Sequence, residues 1–199
     1  MNHGYTRISE LMKLVDEIEG WLFPEEQWAL MHLPVMADYL NGEIVEIGSY
    51  RGKSTVSLGL GSLLLSKRKR PIYSIDPFIP DDKDYKEVSF DKFWANIVKS
   101  GLEHHIIPIK KYSTEAYNDS PDQISVLFID GDHSYEGVRH DIQNYVPRVS
   151  LGGFIGFHDY GYQDGVTKAV DLLCNEPDFE IICDYESLRI IRKTKQVSE

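Results

Sequence analysis

Residues 44–55, IVEIGSYRGKST, decide the fold. The run Glu43–Ile47 is short, β-rich and apolar, as in a strand buried inside a sheet, and it passes directly into a turn containing Gly48 and Gly52. Ser54 or Thr55 then starts a helix through Leu65, Pro71 breaks the chain, and PIYSID (71–76) reads as a second strand ending at Asp76. Strand, glycine turn, helix and strand in that order make one βαβ unit. Spacing argues against two nucleotide loops. The triphosphate loop needs glycine five positions before Gly52, where Ile47 stands, and the dinucleotide fingerprint needs a second glycine where Tyr50 stands.

Working outward, Ile8, Leu11, Leu14, Val15 and Ile18 recur at helical spacing until Gly20, and Pro24 opens a second helix through Leu40. Residues 1–40 are therefore expected to form an N-terminal helical cap on a domain of residues 41–199, the whole making one compact unit. Downstream, Pro77 to Asp84 reads as a surface loop, and Phe90, Phe93, Trp94, Ile97 and Val98 mark the apolar stripe of a helix. His105–Lys110, Ile124–Asp130 and Phe154–Phe157 read as strands three to five, with helices over Tyr135–Val149 and Gly165–Leu173. FEIICDYESLRIIRK (179–193) reads as two strands on a tight connection. The fold class is α/β: a Rossmann-like seven-stranded sheet, mostly parallel, with a C-terminal antiparallel hairpin and helices on both faces. In such sheets the ligand lies beyond the carboxyl ends of the strands, so residues just after each strand are the candidates for function.

Composition narrows the partners. The 199 residues are 42% hydrophobic and 27% charged, a globular mixture, and 21 basic against 32 acidic residues leave a net charge of -11. Phosphate backbones and anionic membranes are repelled by such a surface, so neither nucleic acid nor membrane is an expected partner. The one basic cluster, Lys67 to Arg70, closes a helix and reads as solvated capping. Cys174 and Cys183 have no metal-ligand spacing and read as small buried thiols. The first residues, MNHGYTRISELMK, lack the apolar core of a signal peptide, and a cytoplasmic location is expected.

The loop Glu46-x-Gly48-x-x-x-Gly52 resembles the acidic-x-G-x-x-x-G pattern of class I S-adenosylmethionine-dependent methyltransferases, with Tyr50 where a central glycine is usual. The resemblance implies S-adenosylmethionine as cofactor, held by Glu46, Gly48, Ser49, Tyr50, Gly52, Ser54 and Thr55, with Asp130 beside them. Asp76, at the tip of the second strand, is placed to accept hydrogen bonds from both ribose hydroxyls. Ser113, Thr114 and Glu115, after strand three, match where these enzymes hold the adenine, while a simple helix cap explains them almost equally well.

The most distinctive stretch is VLFIDGDHSYEGVRHDI (126–142) followed by LGGFIGFHDY (151–160), which puts Asp130, Asp132, His133, His158 and Asp159 at the tips of neighbouring strands. It looks like a bacterial subgroup containing metal-dependent O-methyltransferases of small hydroxylated molecules, together with cephalosporin-hydroxylase-like proteins. Metal-dependent relatives bind a divalent cation through a carboxylate after strand four and an acidic pair after strand five, which correspond here to Asp130, His158 and Asp159. Magnesium prefers oxygen ligands, whereas an imidazole at His158 suits manganese, iron or zinc. In the other reading Asp130 orders the cofactor loop and the pair bonds the backbone around Gly161. His133 is the candidate general base, oriented by the second catalytic candidate Asp130 or by Asp132, its other reading being a surface histidine before a helix. His104, His105 and His140 receive no such role.

The reaction expected is methyl transfer to the oxygen of a small-molecule acceptor. Two rivals stand beside it: a non-catalytic S-adenosylmethionine-binding protein, and a metal-dependent hydrolase or oxygenase using the Asp and His cluster. The cap and the loop Pro77 to Phe90 are expected to shape the acceptor pocket, and a homodimer is the expected assembly.

Overall fold

Strand β1 (Glu43–Ile47) lies inside a single sheet in the computed structural model, which describes residues 3–79 and 90–195. The other strands among the described residues are β2 (Ile72–Ile75), β3 (Ile106–Ile109), β4 (Ile124–Ile129), β5 (Val149–Phe157), β6 (Phe179–Tyr185) and β7 (Leu188–Lys193). Their order is β3-β2-β1-β4-β5-β7-β6, with β1 to β5 parallel and the β6–β7 hairpin antiparallel, which is the architecture expected. From β1 the chain builds outward to β3, then returns across β1 to place β4 on its other side. The switch in direction therefore falls between β1 and β4.

Alternation along the strands divides the interior into two layers. Val126 and Phe128 of β4 join Ile44 under helices α1 (His3–Asp16), α2 (Pro24–Met36), α3 (Lys53–Leu60) and α4 (Phe90–Lys99), where Val15, Leu30, Val56 and Phe93 are buried. Leu127 and Ile129 face the opposite layer with Val45 and Phe157, beneath Val138 of α6 (Tyr135–Tyr145) and Val170 of α7 (Asp164–Cys174). Every residue of β4 is buried, as a strand covered on both faces requires.

Register carries this packing into the site. Ile47 pairs with Ile75 and with Ile129, and Ile129 pairs with Phe157, so the next residues, Gly48, Asp76, Asp130 and His158, stand in one row along the carboxyl edge. Backbone bonds extend the ladder through that row: Gly48 N–H donates to Ile75 O (2.9 Å), Asp130 N–H to Ile47 O (2.8 Å) and His158 N–H to Ile129 O (3.1 Å).

Several elements differ from expectation. Helix α2 stops at Met36 rather than Leu40, because Arg70 donates to Ala37 O (3.0 Å) and Leu40 O (2.6 Å) and Arg68 to Leu40 O (2.7 Å). Arg68 and Arg70 thus cap α2, about thirty residues upstream, and Arg70 is buried rather than solvated. Helix α3 starts at Lys53, before Ser54, and widens into a π turn over Gly61–Leu65. The crossover from β3 to β4 holds one helical turn, α5 (Ser113–Ala116), and a short 3-10 turn. Cys174 and Cys183 are free thiols, half-buried. The expected pocket-shaping loop falls largely on residues 80–89, outside the described residues. Among the described residues no helix is long and apolar enough to cross a membrane.

Candidate active site

The glycine loop is held from below and from the side. Glu46 is fully buried and accepts hydrogen bonds from Ser49 Oγ (2.7 Å), Ser54 Oγ (2.6 Å) and the Thr55 hydroxyl. Burial pushes its carboxyl up to about 7, although the three hydroxyls work in the other direction. Ser54 and Thr55 therefore tie helix α3 to Glu46 instead of capping it; the cap position belongs to Gly52, which is left-handed at φ 88. Gly48, at φ 87, must be glycine for a second reason: a Cβ there would lie 2.0 Å from the carbonyl oxygen of Asp130. The close approach that this residue permits is that of the β4 backbone.

Asp76 closes the loop from the β2 side. Its Oδ2 accepts the N–H groups of Ser49 (3.0 Å) and Tyr50 (2.8 Å), and its Oδ1 accepts that of Phe78 (2.6 Å). Burial raises this carboxyl above its usual range against the pull of the three amides. Tyr50, in the place of the usual glycine, adopts φ 45, and its ring lies 5.6 Å from that of Trp21 on the segment between α1 and α2. A carboxylate has about four acceptor sites, so three amides leave room for one further donor at Oδ1.

At the β3 side, Ser113 and Thr114 open α5, but the residue in the cap position is Tyr112, and neither hydroxyl caps the helix. Ser113 O accepts the Tyr145 hydroxyl (2.7 Å), and its own hydroxyl reaches the buried Asp141. Thr114 is exposed.

The acidic and imidazole groups converge at the tips of β4 and β5. One ligand atom each from Asp130, His133 and Asp159 lies within 4.8 Å of the others. His133 Nε2 stands 3.2 Å from Asp159 Oδ2 and 3.7 Å from Asp130 Oδ1. The neighbouring Asp130 carboxylate raises this imidazole above its ordinary value, with burial opposing and Asp159 assisting. Asp159 itself sits at φ 60, and burial raises its carboxyl.

His158 turns the other way. Its Nδ1 lies 3.1 Å from Asp130 Oδ1 and 3.7 Å from Asp159 Oδ1, while Nε2 lies 3.3 Å from Glu26 Oε2 and 3.3 Å from Ser187 Oγ. Burial resists its charge, but Asp130 and Glu26 on opposite ring nitrogens outweigh that and push it up to about 11. Of the trio expected to hold a cation, Asp130 and Asp159 stand together with His133, and His158 is engaged on both nitrogens behind them. His158 and Asp159 make these contacts rather than side-chain bonds to the backbone around Gly161.

Glu26 and Ser187 were not among the sequence candidates. Glu26, on α2, accepts Ser187 N–H (2.9 Å) and Oγ–H (2.7 Å) at Oε1 and Phe23 N–H (2.8 Å) at Oε2. Its only sequence signal is an acid in the first turn of a helix, which macrodipole and capping explain without a site. His104 and His105 precede β3, at the opposite edge of the sheet, and His140 pairs with Asp141 at 3.5 Å.

A family model described as "Methyltransferase domain" matches residues 45–160, more than half of the chain. A curated protein of Acanthamoeba polyphaga mimivirus, itself uncharacterized, is 34% identical over 122 residues, covering 58% of this chain and 50% of the relative. The chain thus spans about half the length of that relative. Among solved structures, the O-methyltransferase from Bacillus cereus in complex with SAH is 15% identical with a TM-score of 0.69, covering 96% of this chain and 91% of that one. The O-methyltransferase TomG from Streptomyces achromogenes, in complex with SAM, is 10% identical with a TM-score of 0.67, covering 98% and 91%. At these identities the solved structures share the fold.

Proposed function

We propose, from the premise that this chain belongs to the methyltransferase domain family, that it uses S-adenosylmethionine to methylate an oxygen of a small hydroxylated acceptor. The single observation carrying this reading is the row Gly48, Asp76, Asp130 and His158 along the sheet edge, with Asp76 bonded to the loop that leaves β1. An adenosyl ligand laid across that row puts its sugar at Asp76 Oδ1, its adenine towards Ser113 and Thr114, and its amino-acid tail beside Gly48. Because Oδ1 has capacity for one more donor, Asp76 takes one ribose hydroxyl in this loop arrangement rather than two. Glu46, Ser54 and Thr55 serve the cofactor indirectly, by setting the loop that touches it.

In the reaction the acceptor oxygen attacks the sulfonium methyl in line. The oxygen–carbon bond forms as the sulfur–carbon bond breaks, and the hydroxyl proton leaves to His133 Nδ1, the ring nitrogen opposite the Nε2–H that faces Asp159 and Asp130. Orientation supplies most of the rate, since a bound near-attack geometry removes an entropic barrier of roughly 7–11 kcal/mol. Asp159 and Asp130 hold the His133 ring towards the acceptor side.

The two carboxylates and one imidazole that converge also suit a divalent ion: Asp130, Asp159 and His133 would hold it, and it would lower the pKa of the acceptor hydroxyl. A cation on His133 Nε2 would replace its hydrogen bond to the carboxylates and withdraw basicity from the ring, so the two routes are alternatives for His133. The similarity in fold to O-methyltransferases with SAM or SAH bound supports the cofactor assignment.

The test is transfer from methyl-labelled S-adenosylmethionine to a panel of phenols and sugars, run with and without chelator. Labelled ether products support the reading, and their survival in chelator assigns the proton to His133. Cofactor binding without any labelled product contradicts it.

A further inference from the structure

Glu26 lies outside the matched segment, 132 residues before His158, and its side chain is completely buried. Capping α2 would require only its bond to Phe23 N–H, which a neutral side chain could supply. A buried carboxylate is costly unless donors face it, and here His158 Nε2 faces Glu26 Oε2 at 3.3 Å. All four acceptor sites of Glu26 are taken by Phe23, His158 and the two donors of Ser187, leaving none for a ligand. Whatever Glu26 does for the site, it does through His158.

The consequence for the ring is geometric. With Glu26 at Nε2 and Asp130 at Nδ1, His158 can neither flip nor swing without breaking a contact. Its fixed position in turn sorts the oxygens of Asp159: Oδ1 faces His158 at 3.7 Å and Oδ2 faces His133 at 3.2 Å.

We propose that Glu26 is a positioning residue for methyl transfer: clamping His158 from the side opposite Asp130, it sets Asp130 and Asp159 against His133, so the reacting face is complete only while the N-terminal helices are docked. The proposal rests on the methyltransferase reading for its kinetic consequence, but the coupling of Glu26 to His133 can be read without any acceptor.

The experiment compares wild type, Glu26→Gln and Gln27→Ala by calorimetry with S-adenosylhomocysteine, by melting temperature, by side-chain nitrogen NMR of the histidines, and by kcat and KM on any acceptor found. Gln27 is the control: it ties the same helix to Asp16 Oδ1 (3.0 Å) and Leu22 O (3.1 Å) without touching the cluster. Glu26→Gln is expected to bind S-adenosylhomocysteine within about twofold of wild type. Its His158 and His133 ring signals both move, and kcat falls roughly 10- to 100-fold at unchanged KM, the pattern of an interaction felt in the transition state. Gln27→Ala is expected to melt lower while keeping wild-type ring signals and kcat.

Unmoved His133 signals in Glu26→Gln would overturn the proposal, as would an equal loss in Gln27→Ala. If Glu26→Gln does not fold, Glu26→Asp, which keeps the charge one methylene short, should shift His133 in the same sense by less, and wild-type signals there would also overturn it. Wild type that binds no S-adenosylhomocysteine would sink the methyltransferase reading alone, with the ring signals still deciding the coupling.

Discussion

Asp76 Oδ2 accepts the backbone N–H of Tyr50 at 2.8 Å, so the tip of one strand fixes the loop that leaves its neighbour. Tyr50 is held in the left-handed region by that bond and by its N–H neighbour Ser49, which shares the same oxygen. A side chain other than glycine is uncomfortable there by roughly 1–2 kcal/mol, a cost the Asp76 bonds and the packing of Trp21 offset.

Asp76→Ala removes the ribose acceptor and releases three amides at once. Binding of S-adenosylmethionine is expected to weaken at least about tenfold, equivalent to about 1.4 kcal/mol. Calorimetry giving the wild-type Kd would detach Asp76 from the cofactor.

Gly48→Ala puts a methyl group 2.0 Å from Asp130 O at a backbone angle that L residues rarely adopt. The β4 backbone must move, at a cost above about 3 kcal/mol, which lowers the Tm of a domain this size by at least about 6 °C. A melt within about 2 °C of wild type would show that the two tips are not packed as described.

His133→Ala should preserve cofactor affinity and lower kcat by roughly 10²–10⁴-fold in the presence of chelator. His133 is raised above 6.5, chiefly by Asp130, and acts as a base only when neutral. Activity therefore rises with pH through a midpoint above 6.5 and is lost as pH falls through it. A pH profile unchanged by the substitution would remove His133 from the reaction.

Asp38 illustrates linkage away from the site. Burial disfavours its charge, but Lys67 N–H, Ser66 Oγ and Arg68 N–H outweigh it and lower the carboxyl from 3.8 to about 2. Its stabilisation is thus fully present above pH 3.8 and is lost as pH falls towards about 2. At neutral pH Asp38→Asn is expected to cost about 1–2 kcal/mol after allowance for solvent screening. Melting curves of the two proteins should converge in acid, and a constant gap would contradict the assignment.

Much of this was legible beforehand because parallel sheets leave strong local marks. Apolar runs bounded by glycine and proline located β1, β2 and β4, and the rule that ligands gather at carboxyl ends selected Asp76, Asp130 and His158. What stayed hidden was direction. Phe157 and Ile129 point into the layer under α6 and α7, so His158 and Asp130, one residue on, point towards the layer of α2. Sequence adjacency alone could not say which of His133 and His158 turns inward, because that depends on which layer the N-terminal helices cover. Glu26 was hidden for a related reason: PEEQ reads as an ordinary helix start until Ser187 and His158 are brought against it. Arg70 was likewise read as solvated because its carbonyl partners, Ala37 and Leu40, lie about thirty residues upstream.

The most direct test of the central assignment is a crystal structure of the chain with S-adenosylhomocysteine. The adenosyl sugar is predicted against Asp76 Oδ1, the amino-acid tail beside Gly48 and the sulfur facing Asp130 and His133. A ligand bound away from the carboxyl edge, or none at saturating concentration, would contradict it.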